Sequence, residues 1–72
     1  MTSIEMSILN LLTQDATSTL SEVVSLIVEE LKLPEKKVRS TLYKLERKSL
    51  IRIDEEIDMV MLSSKGSILV KG

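Results

Sequence analysis

Apolar residues in the first half of the chain recur with the period of an α-helix. Ile4, Ile8, Leu11 and Leu12 fall at i, i+4, i+7 and i+8, which lays them along one side of a helix. Thr2 or Ser3 is placed to cap its start, with Glu5 in the first turn. The polar stretch from Asp15 to Thr19 reads as a turn, and Thr19 followed by Glu22 has the spacing of a capping box. Val23, Val24, Leu26, Ile27 and Leu31 then mark a second helix of about 12 residues.

Leu33-Pro34 interrupts that pattern. Proline disfavours helical conformation in the residue before it and suits the first turn of a helix, so one helix ends here and another begins. Val38, Leu42, Leu45 and Ser49 continue at i, i+4, i+7 and i+11, which predicts a third helix over 34–49 with these positions toward the core. The connection, Lys32 to Pro34, is too short for a long antiparallel hairpin and implies a steep crossing, the geometry of a helix-turn-helix.

The period then falls to two. Leu50–Asp54 and Ile57–Leu62 alternate around Glu55-Glu56, which predicts a β-hairpin with an acidic tip. The tip lacks the Asn-Gly or Asp-Gly of a tight turn, leaving its loop length open. Ser63-Ser64 is placed to cap a final short turn or helix from Lys65 to Val70. The expected fold is α+β and mainly α: a winged helix-turn-helix of three helices, a two-stranded wing and a short C-terminal turn, in one domain over 1–72.

Composition narrows the function classes. Cysteine and histidine are absent, so disulfides, the usual zinc ligands and the commonest catalytic groups are missing. The acids at the hairpin tip lack the spaced oxygens and glycine of a calcium loop. Neither an enzyme nor a metal or other cofactor is expected, and no small-molecule ligand is evident. No apolar run approaches the roughly 18 residues of a membrane span, and the N-terminus lacks the pattern of a secretory signal. A cytoplasmic protein is expected.

Charge is the most informative feature after periodicity. Eight of the ten basic residues lie between Lys32 and Arg52, whereas 1–31 hold five acids and no base, and 53–62 hold Asp54, Glu55, Glu56 and Asp58. A basic stripe on one short element is the footprint of a phosphate-binding face; a solvated helix surface is the duller account.

The segment from Leu33 to Ile51 resembles the recognition-helix stretch of small winged-helix transcriptional regulators, in which V-x-x-x-L-x-x-L-E-x-x-G-L-I leads into the first wing strand. Leu62-Ser-Ser-Lys-Gly66 is similar to the L-T-x-x-G that follows the wing in MarR-like and PadR-like repressors. Ser49 departs from the pattern by standing where those proteins usually have glycine. A non-glycine residue in left-handed conformation costs roughly 1–2 kcal/mol. The wing tip departs too, because it carries acids where many relatives place arginine or lysine, and no DNA contact is assigned to it. A fainter resemblance to Z-DNA-binding domains runs through Leu33-Pro34 and Leu42-Tyr43-Lys-Leu45, but Arg39 replaces their asparagine and the wing lacks their proline pair and tryptophan.

With Val38, Leu42 and Leu45 inward, Lys36, Ser40, Tyr43 and Arg47 line the opposite face of the helix. Lys37, Lys44 and Lys48 follow one edge and Arg39 the other. Lys36, Arg39, Ser40 and Tyr43 are expected nearest the bases, since the N-terminal half of a recognition helix enters the major groove. Arg39 is the leading specificity candidate, because arginine bridges guanine in bidentate fashion. Lys37, Lys44, Arg47 and Lys48 are expected on phosphates. Arg39 bridged to an acid of the second helix, Lys44 paired with Glu46, and Tyr43 covering the helix edge are the competing structural roles.

The expected function is a sequence-specific regulator that binds double-stranded DNA. The alternative is a winged-helix adaptor for another protein, which the acidic tip favours. Met6 and Leu9 fall off the first helical stripe, and the strand from Ile57 to Leu62 is apolar on both faces. The plainer account is that the core of so small a domain takes most of these residues; the sharper expectation is a homodimer through Met6, Leu9 and the wing.

Overall fold

A computed structural model describes residues 2–14 and 19–71. The turn expected over 15–18 lies outside the described residues. The elements follow in the order α1 (Ser3–Gln14), α2 (Leu20–Leu31), α3 (Glu35–Arg47), β1 (Ile51–Asp54), β2 (Met59–Leu62) and α4 (Ser64–Lys71). Among the described residues the architecture is α+β and mainly helical, with four helices and one antiparallel hairpin. Three helices were expected; the C-terminal segment is a full eight-residue helix instead of a short turn. Among the described residues no helix is long and apolar enough to cross a membrane.

Local chemistry accounts for the helix ends. Thr2 Oγ1 accepts from the Glu5 N–H at 3.2 Å, and Glu5 Oε1 accepts from the Thr2 N–H at 3.0 Å, a reciprocal capping box that satisfies two N-terminal donors of α1. At α2, Thr19 Oγ1 accepts from the Glu22 N–H at 3.1 Å. The break between α2 and α3 spans Lys32 to Pro34, as the proline predicts, with Lys32 in left-handed conformation.

The end of α3 explains the missing glycine. The Leu50 N–H donates to the Leu45 carbonyl at 3.0 Å and the Ser49 N–H to the Glu46 carbonyl at 2.9 Å. Ser49 has φ of 63°. This is a Schellman motif with serine in the left-handed position, and Leu45 and Leu50, both buried, supply its apolar contact. Ser49 is therefore exposed beyond the helix and does not continue the core stripe, and Lys48 is the capping residue rather than part of α3.

The hairpin pairs Ile51 with Leu62, Arg52 with Met61, Ile53 with Val60 and Asp54 with Met59. The turn, Glu55 to Asp58, takes Ile57 and Asp58 out of the expected strand. Ile51 and Val60 face the core. The tip is tied to the start of α2: the Leu20 N–H donates to the Asp58 carbonyl at 2.9 Å, and the Ser21 hydroxyl to its carboxylate at 3.1 Å. Thr19 forms a single β-bridge with Met59. An anion at a helix N-terminus is favourably placed, so Asp58 is a structural residue.

The core joins Ile8, Leu9 and Leu12 of α1 to Val23, Val24 and Ile27 of α2 and to Val38, Leu42 and Leu45 of α3. Leu9 is fully buried and Met6 packs against the core. That corrects the expectation that both lie off the buried stripe: the inward face of α1 is wider than a two-element core needs, because α4 also packs on α1.

Candidate nucleic-acid interface

Helix α3 is capped by geometry rather than by a side chain: Pro34 precedes it in extended conformation, and its carbonyl accepts from the Val38 N–H at 3.1 Å. Val38, Thr41, Leu42 and Leu45 are buried, which fixes the rotation of the helix. Thr41 needs no partner outside its own helix, because its hydroxyl donates to the Lys37 carbonyl at 2.8 Å. The opposite side then carries the predicted row. Lys36, Ser40 and Arg47 are exposed, as are Lys37 and Lys44, while Arg39 and Tyr43 are half-buried.

Three of the eight candidates have carboxylate partners. Arg39 Nε donates to Glu35 Oε2 at 2.9 Å, one turn back on the same helix rather than across to α2. This bond raises the guanidinium pKa. The Tyr43 hydroxyl donates to Glu55 Oε1 on the hairpin tip at 2.6 Å, which holds the phenol above its ordinary value. Lys48 Nζ lies 2.9 Å from Glu5 Oε2. Lys36, Lys37, Lys44 and Arg47 enter no ion pair among the described residues. The pairing of Lys44 with Glu46 does not occur among them, and Glu46 Oε2 instead accepts from the Ile53 N–H at 3.2 Å.

The electrostatic surface is therefore divided. Toward the hairpin, Glu35 and Glu55 screen Arg39 and Tyr43. Toward α1, Lys37 and Lys44 flank a cleft of about 100 Å³ with Thr2, Ile4 and the Glu5 carboxylate at its other wall. Lys36 and Ser40, both exposed, lie between the two regions. Among the described residues no group of three or more acidic side chains is placed to hold a metal ion.

Sequence reasoning missed Glu35, Glu55 and Glu5 as partners of the basic face. The spacing of Glu35 and Arg39 was a readable signal, since charges four apart on a helix are neighbours. The other two pairs depend on tertiary packing and left no local signal. Comparison with known proteins returns no matching family model, no matching curated protein and no matching solved structure.

Proposed function

We propose that this chain is a winged helix-turn-helix domain that binds double-stranded DNA through α3 and acts as a sequence-specific transcriptional regulator. The observation that carries this reading is the row of exposed cations Lys36, Lys37, Lys44 and Arg47, unpaired among the described residues, on a helix whose other side is locked by Val38, Leu42 and Leu45. The helix order, the three-residue break before α3 and the hairpin after it are consistent with that fold.

Within this reading Lys37, Lys44 and Arg47 contact phosphates and set affinity, while Lys36 and Ser40 face base edges. Arg39 and Tyr43 reach bases when Glu35 and Glu55 release them. Lys48 serves mainly as a brace for α1. Gel shifts against duplexes of varied sequence test the assignment. Lys44→Ala is expected to weaken all duplexes alike and to lower the salt slope by about one, and Arg39→Ala to relax preference at one position. If both variants bind as the native chain does, the assignment is wrong.

A second reading is a protein adaptor. It is favoured by the Tyr43–Glu55 and Arg39–Glu35 contacts, which place carboxylates beside the helix half that a groove would receive. A stable complex with a basic protein, together with no duplex affinity at moderate salt, would select it.

A further inference from the structure

We infer that the edge of β1 at Ile53 is a self-pairing site, on which a second copy of this chain docks with Ile53 on the two-fold axis and Arg52 facing Asp54 of the partner subunit. The direction of the main chain comes first. The Leu50 carbonyl accepts from the Ser63 N–H at 3.0 Å, extending the β1–β2 register by one pair. Backbone groups alternate sides along an antiparallel strand, so residues 50, 52 and 54 address β2, while Ile51 and Ile53 address the other edge; Ile51 is buried, which leaves Ile53 as the accessible position there. The Ile53 N–H agrees, because it donates to Glu46 on α3 and not to β2. Among the described residues no strand pairs with this edge, and the single bridge from Thr19 goes to β2. A groove of about 430 Å³ runs beside it, lined by Glu46, Ser49, Ile51, Arg52, Ile53 and Ser63.

The sequence of the strand identifies the occupant. Antiparallel pairing about Ile53 sets this residue opposite Ile53 of the partner subunit, with the N–H and carbonyl of each pointing at the other, which is the hydrogen-bonded type of pair. Arg52 then stands opposite Asp54 of the partner subunit, twice by symmetry, at positions where side chains approach most closely. Both side chains are exposed and two residues apart, hence on one face of the sheet. Moving the axis by one residue would set Arg52 or Asp54 against its own copy. Charge and main-chain direction thus select the same register. Asp54 Oδ1 already accepts from the Glu56 N–H at 3.1 Å, leaving Oδ2 for the guanidinium. The hairpin tips fall at opposite ends of the four-stranded sheet, away from each other.

Glu46 keeps the pairing weak. Its carboxylate occupies the Ile53 N–H in the single chain and must leave before a second strand can bond there, which is a familiar way to guard a sheet edge. Four-residue strands bury little area, so association belongs at high micromolar to millimolar concentration. The inference needs no nucleic acid and stands apart from the DNA reading.

Sedimentation equilibrium on the full chain tests it. The native protein is expected to dimerise reversibly, R52D and D54R each to weaken dimerisation about tenfold, and an equimolar mixture of the two variants to associate like the native chain, because every cross-strand pair is again opposite in charge. Glu46→Ala is expected to strengthen the dimer. Circular dichroism on the variants, whose changed charges are exposed, checks that each stays folded. A native chain that remains monomeric at about 1 mM, a dimer indifferent to either charge reversal, or a mixture that fails to recover would each overturn the inference.

Discussion

Lys48 Nζ meets Glu5 Oε2 at 2.9 Å, joining the end of α3 to the start of α1 across 43 residues of sequence. Glu5 is almost entirely enclosed, whereas half of the lysine is exposed. The same carboxylate closes the Thr2 capping box, so one side chain caps a helix and orients the basic helix beside it. Hydrogen bonds from Lys48 and Thr2, against the opposing effect of burial, hold its pKa at about 2 instead of 4.5.

That depression sets an acid dependence. A carboxylate whose pKa is lower in the folded state than in the unfolded one stabilises the fold above its unfolded value, and the contribution is lost as pH falls through the folded value. Glu5 should therefore contribute fully above pH 4.5 and progressively less down to about pH 2. Urea midpoints across this range should fall more steeply for the native chain than for Glu5→Gln. Equal slopes would remove Glu5 from the account.

Ser49→Gly should stabilise the protein. The left-handed serine costs roughly 1–2 kcal/mol and glycine gives back part of that through unfolded-state entropy, so a net gain of about 0.5–1 kcal/mol is expected. In a domain of this size that raises the melting temperature by several degrees. The hydrogen bond from the Ser63 hydroxyl to the Ser49 carbonyl at 2.6 Å involves main chain at position 49 and survives the change. An unchanged or lower melting temperature would argue against the strain.

Gly66 should not tolerate alanine. A Cβ at this position would overlap the Leu50 carbonyl, which is main chain and already bonded to the Ser63 N–H. Separating α4 from the strand start should cost about 3 kcal/mol, a large share of the stability of so short a chain. Thermal melting of Gly66→Ala reads this directly, and a native-like melting temperature would contradict the close approach.

Glu55→Gln should tighten duplex binding. It removes a charge that accepts from the Tyr43 hydroxyl beside the proposed groove-facing side of α3. A several-fold gain at low salt that shrinks at high salt is expected, because like-charge repulsion with phosphates is screened. Loss of affinity would mean that Glu55 helps to present Tyr43 rather than restraining it.

Much of the fold was legible because helical and strand periods are local properties. Ile4–Ile8–Leu12, Val23–Ile27 and Val38–Leu42–Leu45 each announced a buried face, and Pro34 marked the break between α2 and α3. The last helix was less legible: Ser64-Lys-Gly-Ser67 has weak helical propensity, and its first turn is fixed by Ser63, whose Oγ accepts from the Gly66 N–H at 3.0 Å. Leu9 lies off the Ile4–Ile8–Leu12 stripe and is nonetheless fully buried, because the inward face of α1 is wider than that stripe.

The basic row on α3 was readable from spacing alone, whereas its division into screened and free cations was not. Tyr43 and Lys48 find Glu55 and Glu5 only because the hairpin folds toward α3 and α1 lies beside its end. The left-handed residue at Ser49 could be anticipated as an irregularity, but nothing in the sequence said that a Schellman motif would form without glycine.

Binding of duplex phosphates by the cations of α3 that are unpaired among the described residues has a direct thermodynamic signature. Titration of a labelled duplex library at stepped salt tests it most directly. With Lys37, Lys44 and Arg47 on phosphates, the logarithm of the association constant should fall linearly with the logarithm of salt, at a slope of about −3 by the counterion-release value of about 0.9 per phosphate neutralised. A slope near zero, or no duplex binding even at low salt, would exclude phosphate binding by α3.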